Sequence, residues 1–257
     1  MHFRQFRRLL AAAIAAILTA PLVADELVLV PLWYNGRGGE GSLWTTHLSA
    51  YSTARGYMQP DDRGVLPCQW MASPCPRGFF QDKMIVYQAI QSAAGGFVMS
   101  VPDASRVHFS LRVFEARAWR EDLGVAVPVV RERDLASGPV QLMDIPRADT
   151  EFFRYTLRIY GIGGGRAAAV RLNGYVTMAD GTPDLVMTTV IPLLRIGHGI
   201  GHWYFEDATF VRDLVYAVGE MGSVRVEIEP ITQGLRWWGI VSTTNKQTQD
   251  VTVVTPQ

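Results

Sequence analysis

An excess of charge of either sign is the first thing this sequence lacks. Its 24 basic and 24 acidic residues cancel, so no long-range field draws it to nucleic acid or to an anionic membrane surface. Lysine is nearly missing: Lys83 and Lys246 stand in an otherwise all-arginine basic set, which reads as base composition rather than function. Only two cysteines are present, and with no further ligands close to them a metal site is not the reading they favour. Long apolar runs are scarce. The stretch Leu9 to Leu18 is followed by Pro21 and falls below the roughly 20 residues that span a bilayer.

Motifs of catalysis are missing as well. There is no Gly-x-Ser-x-Gly elbow, and Gly161-Ile162-Gly163-Gly164-Gly165 lacks the Gly-Lys-Ser/Thr ending of a phosphate loop. The stretch after it reads as a strand, so the glycines read as a hairpin connection. Asp61-Asp62 lacks the oxygen-rich spacing of a calcium loop. The acidic pairs Glu121-Asp122 and Asp180 with Asp184 read as solvated turns.

What is present begins with an export signal. Arg4, Arg7 and Arg8 precede the short apolar run, and the small residue Ala24 closes it, with Ala20 as the alternative. Residues 1–24 are therefore expected to be a signal peptide, and the mature chain extracytoplasmic: secreted, periplasmic or at the cell surface, with no membrane span after cleavage. An uncleaved amino-terminal anchor is the alternative. In that setting Cys68 and Cys75, with six residues between them in a Pro-rich stretch, are expected to form a disulfide contributing ~2 to 3 kcal/mol.

The mature sequence says nearly the same thing twice. Trp44-Thr45-Thr46-His47-Leu48-Ser49-Ala50-Tyr51 lies against Phe153-Arg154-Tyr155-Thr156-Leu157-Arg158-Ile159-Tyr160 at an offset of 109. Gly96 to Val101 lies against Gly222 to Glu227 at 126, and Val125 to Pro128 against Val253 to Pro256 at 128. A repeated unit of this size is an architecture before it is a function.

The dominant period is two. Phe153, Tyr155, Leu157 and Ile159 alternate with Arg154, Thr156 and Arg158, the pattern of a strand with one buried and one wet face. Many short strands with frequent turns predict an all-β fold of two tandem antiparallel β-sandwich modules, residues 25–145 and 146–257, joined through Asp144 to Asp149. Each module is expected to carry one short helix, at Gln81 to Ala93 and at Asp207 to Tyr216, where apolar residues recur at spacings of three and four.

Four stretches carry a resemblance. They are the opening Val30-Pro31-Leu32, Gly38 to Leu48, Phe152 to Leu157 and the ending Trp238 to Pro256. Together they resemble a group of uncharacterised bacterial secreted proteins with tandem immunoglobulin-like β-sandwich modules, across essentially the whole mature chain. The resemblance implies the fold and an extracytoplasmic setting, and it brings no active site with it.

Two constellations remain as candidate chemistry. His198-Gly199-Ile200-Gly201-His202 has metal-like spacing, but imidazoles at i and i+4 meet on a helix, which the flanking glycines disfavour. The aromatic pairs Trp203-Tyr204 and Trp237-Trp238 offer a ring for sugar or protein contact. Neighbours on a strand point to opposite faces, so one of Trp237 and Trp238 is expected to be exposed or to cover the junction between modules. The sequence thus favours a non-enzymatic binding or structural protein without a cofactor, whose partner is a protein or glycan at the cell surface. The alternatives are a carbohydrate-binding module using Trp237, Trp238 or Trp203, and a metal-dependent enzyme centred on His198 and His202.

Overall fold

The computed structural model describes residues 26–38, 41–52, 56–60, 78–80, 83–88, 96–101, 104–116, 124–145, 151–177, 180–194, 202–207, 210–217 and 223–257. In chain order the strands are β1 (Glu26–Val30), β2 (Asn35–Arg37), β3 (Leu43–Ser52), β4 (Gly56–Pro60), β5 (Gly78–Phe80), β6 (Lys83–Gln88), β7 (Phe97–Val101), β8 (Val107–Glu115), β9 (Val125–Val127) and β10 (Val130–Arg131). They continue as β11 (Val140–Ile145), β12 (Phe153–Ile162), β13 (Ala169–Thr177), β14 (Pro183–Pro192), β15 (His202–Asp207), β16 (Ser223–Pro230), β17 (Arg236–Asn245) and β18 (Val251–Val254), with one helix, α1 (Phe210–Ala217), among the described residues. The fold is all-β, and every pairing among these strands is antiparallel.

The strands make four sheets. In the amino-terminal half one sheet runs β10-β1-β7-β4-β5, and the other runs β3-β8-β9 with β2 and β6 both beside β3. In the carboxyl-terminal half the sheets run β11-β16-β13-β14 and β15-β12-β17-β18. Writing β11, β16, β13 and β14 for β1, β7, β4 and β5, and β15, β12, β17 and β18 for β6, β3, β8 and β9, carries eight strands of the first pair of sheets onto the second, with β10 and β2 left without a counterpart. The strands that match in sequence therefore hold the same places. Leu48 lies opposite Leu111 on β8, and Leu157 lies opposite Val241 on β17.

Each half closes its two sheets over apolar side chains. Leu142, Val170, Leu172, Val224, Val226 and Ile228 from one carboxyl-half sheet meet Tyr155, Leu157, Ile159, Trp237 and Val241 from the other. That core also takes Phe210 and Val211 from the first turn of α1. Residues of β1 and β7 meet Leu48, Ala50, Leu111 and Val113 in the amino half, and the same cluster includes Tyr160, Trp238 and Ile240 from β12 and β17.

The chain passes between halves earlier than its Pro and Asp content predicts. Val140–Ile145, expected at the end of the first module, pairs with β16 and belongs to the second half. Leu135 packs in the amino-half core, while Ala136 packs against the other and exchanges both main-chain hydrogen bonds with Trp237, at 2.8 and 2.9 Å. A short turn, Glu132–Asp134, precedes the crossing. In it Glu132 accepts from the Leu27 N–H of β1 at 3.3 Å and from Arg236 Nη1 of β17 at 3.0 Å.

Two further expectations need correction. The helix predicted over Gln81 to Ala93 gives way to strand β6, which pairs with His47 to Ser52 of β3. Met84-Ile85-Val86-Tyr87 is rich in β-branched and aromatic residues, and beside an open strand edge that preference overrides the helical spacing. The second expected helix is present as α1. The glycine stretch after β12 is not a hairpin, because β12 and β13 lie in different sheets. Gly163, Gly164 and Gly165 all take positive φ, a conformation open to glycine at little cost, and this turns the chain from one sheet to the other.

Candidate functional site

Strand alternation builds the site. On β12 the apolar set Phe153, Tyr155, Leu157 and Ile159 faces the carboxyl-half core, so Arg154, Thr156, Arg158 and Tyr160 share the opposite face. Their cross-strand partners on β17 are Thr244, Ser242, Ile240 and Trp238, and Val253 and Val251 of β18 follow opposite Ser242 and Thr244. This outer face divides lengthwise. At one end Tyr160, Trp238 and Ile240 are buried against the amino half. The Tyr160 hydroxyl donates to the Pro31 carbonyl, and the Tyr160 and Trp238 rings lie 6.4 Å apart.

Towards the other end the two halves part and leave a cleft of about 360 Å³. Its carboxyl-half wall is Arg154, Thr156, Arg158 and the hydroxyls of Ser242 and Thr244, with Val251 and Val253 beside them. The amino-half wall includes Leu32, Tyr34, Arg37, Trp44, Val113 and Val127. Tyr34 fixes the rim: its N–H donates to Thr46 Oγ1 at 3.0 Å and its hydroxyl to the Arg37 carbonyl at 2.6 Å. Gly38 lies so close to the Trp44 ring that a Cβ there falls 2.6 Å from Cδ1. The indole in turn donates from Nε1 to Ser42 Oγ at 3.0 Å.

Among the described residues three arginines, Arg37, Arg154 and Arg158, line the cleft and no acidic side chain does, while Glu206 of β15 lies opposite Arg158 in the sheet. Arg37 and Arg154 are exposed, and neither has a carboxylate partner among the described residues. Arg158 is half-buried, with Nη1 3.5 Å from Ser242 Oγ. Arg154 and Arg158 sit four residues apart on an extended strand, roughly 13 Å. Guanidinium groups in such a setting take carboxylate or phosphate oxygens through paired N–H donors. Among the described residues no His, Cys, Asp or Glu lines the cleft, and those that do line it offer apolar contact and positive charge.

The outer face of the β11-β16-β13-β14 sheet is polar in a different way. Arg171 Nη1 meets Glu229 Oε2 at 2.6 Å, Asn173 donates to Glu227 at 3.1 Å, and the Arg225 guanidinium sits 4.3 Å over the Tyr175 ring. Burial and the adjacent Glu227 carboxylate push the Tyr175 phenol above its ordinary pKa. The charged groups of this face thus have partners within it, Arg171 in Glu229 and Glu227 in neutral donors, as suits a solvated sheet face.

The residues singled out from sequence fall elsewhere. Trp237 is fully buried in the carboxyl-half core, and Trp238 is buried at 7% exposure in the junction between halves. Neither ring of this pair offers an open stacking face, because one side of β17 meets its own core and the other meets the amino half. Trp203 belongs to β15, opposite Gly161 of β12, and its side chain lies outside the described residues. His202 opens the same strand opposite Ile162, while His198, Cys68 and Cys75 lie outside the described residues. No group of three or more His, Cys, Asp or Glu placed to hold a metal occurs among the described residues. No helix among them is long and apolar enough to cross a membrane.

Sequence reasoning took Arg154, Thr156 and Arg158 for a wet strand face and missed the cleft. The available signal was that the next residue in the series, Tyr160, is apolar, so the face changes character along its length. No family model and no curated protein matches the chain. A solved structure entitled "Structure of infectious bursal disease virus Gt strain" aligns over 91% of this chain and 73% of the other at 11% identity, with a TM-score of 0.20, too low to carry an argument.

Proposed function

We propose that this chain is a non-enzymatic binding protein of the extracytoplasmic space, built from two tandem immunoglobulin-like β-sandwich modules, residues 25–135 and 136–257. We place its ligand, an anion with an apolar body, in the cleft between them. The matching strand order of the two halves supports the module reading. The signal-like residues 1–24 and the close pair Cys68 and Cys75 support export. One observation carries the ligand reading: three arginines line an apolar-walled cleft in which, among the described residues, there is no acidic side chain. An apolar wall rewards burial of a hydrocarbon body, and the arginines select for a negative head. A surface glycan stacked on Trp237 or Trp238 is disfavoured, because both rings are buried.

Calorimetric titration with a medium-chain fatty acid and the matching alcohol tests this. The acid is expected to bind and the alcohol to bind at least about tenfold more weakly, since a hydrogen bond to a charged group contributes about 1.5 to 3 kcal/mol. Reversing two charges, Arg154→Glu with Arg158→Glu, is expected to abolish the preference for the acid. Equal binding of acid and alcohol, or a preference that survives the reversal, overturns the cleft. A hydrolytic turnover that disappears on changing one polar residue overturns the non-enzymatic part. For the disulfide, unfolded and unreduced protein is expected to show no reactive thiol, and two reactive thiols refute it.

A further inference from the structure

We propose that two copies of this chain pair antiparallel along β14, with Thr188 of each copy at the two-fold axis, so that the β11-β16-β13-β14 sheets of the two molecules become one continuous sheet. This surface is separate from the cleft. Among the described residues β14 is the end strand of its sheet and bonds to β13 alone. A strand at that position turns alternate N–H and C=O groups outward along its whole length, and only another extended chain answers that spacing.

The side chains sharpen the point. Of the eight large apolar residues exposed on the described surface, four lie between residues 185 and 194: Leu185, Val186, Val190 and Leu194, at 40 to 57% exposure. Soluble proteins ordinarily protect such an edge with lysines, with proline inside the strand, or by keeping it short. Here the strand runs ten residues, its one charge is Asp184, and its prolines are confined to the two ends, Pro183 and Pro192. A bulge at Val186 interrupts the ladder with β13 near one end and leaves Met187 to Ile191 regular.

A second copy fits this edge better than any other strand of the chain. The other terminal strands among the described residues span two to six residues, so β14 is the one that matches β14 in length. With Thr188 opposite Thr188, the regular span Met187 to Thr189 pairs with its own copy, and Val190 of each copy falls beside the bulged Val186 of the other. Asp184 then lies opposite Pro192, away from its own counterpart. The formal net charge of zero adds no long-range repulsion between copies. The contact is isologous and closes on itself, so it yields a dimer rather than a filament.

Sedimentation of the full chain over a range of concentrations is expected to show a reversible monomer–dimer equilibrium. Val186→Lys with Val190→Lys is expected to weaken it at least tenfold without lowering the melting temperature. Thr188→Cys is expected to yield a reducible dimer on mild oxidation, whereas Thr252→Cys, on the exposed face of the β18 edge, is expected to stay monomeric. A monomer at every concentration overturns the proposal. So does a dimer indifferent to the lysines, equal crosslinking through position 252, or a chain that pairs only with a strand supplied by a different protein.

Discussion

The two halves follow one strand order but differ in self-sufficiency. Every described residue of the carboxyl-half core comes from position 136 onward, whereas the amino-half core includes Tyr160, Trp238 and Ile240 from the other side. Likewise the end strand β5 spans three residues in one half, and its counterpart β14 spans ten in the other. Shared topology thus does not mean shared independence: one half completes the other's interior, and its outer edge is left open.

That asymmetry is sharpest when the halves are separated. A fragment of residues 136–257 is expected to unfold cooperatively by circular dichroism, and a fragment of residues 25–135 to lack a cooperative transition. Two fragments of equal stability break the comparison. Trp238→Ala is expected to cost about 3 to 5 kcal/mol as a large buried truncation and to fall on the amino half, splitting the calorimetric transition in two. Leu48→Ala and Leu157→Ala, at matching positions and both fully buried, are each expected to cost about 2 to 5 kcal/mol in denaturant titrations. A small cost at either site means the two strands are not equivalent. Tyr160→Phe removes the hydroxyl that bonds to the Pro31 carbonyl across the junction and is expected to cost about 0.5 to 1.5 kcal/mol.

The smallest effect is confined to the carboxyl half. The folded-state pKa of Tyr175 is raised by burial and by Glu227, so the fold favours the neutral phenol. The stability tied to that preference is intact below the ordinary tyrosine value and is lost as pH rises through the folded-state pKa. Glu227→Gln is expected to move the tyrosinate absorbance midpoint back towards the ordinary value, and an unmoved midpoint assigns the shift to burial alone.

Much of the framework was legible in the sequence, because strands betray themselves by alternation. The starts of β8, β12 and β13 follow directly from period-two patterning and the turns around them. Strand β6 did not, since four consecutive apolar residues satisfy helical and extended templates alike, and only the neighbouring β3 decides between them. The crossing at Leu135 and Ala136 was hidden because neither residue is a turn former, while Pro146 and Asp149 advertised a linker. The cleft was illegible for a deeper reason. Arg154 and Arg158 look the same in sequence whether their strand faces bulk water or another sheet, and which it faces depends on contacts between residues far apart in the chain.

The turn at Glu132 has a consequence for how a ligand enters. Its carboxylate takes one donor from the main chain of β1 and one from Arg236 of β17, and a few residues on Ala136 is stitched to Trp237. A connector tied down at both ends is a bracket rather than a hinge. The aperture between the arginine-bearing walls is therefore set by folding. Under the proposed binding role it would stand ready before a guest arrives, so that little ordering entropy would be lost on association and guests would be sorted by fit to a fixed mouth, as a gauge sorts rods, rather than by a jaw that closes around them.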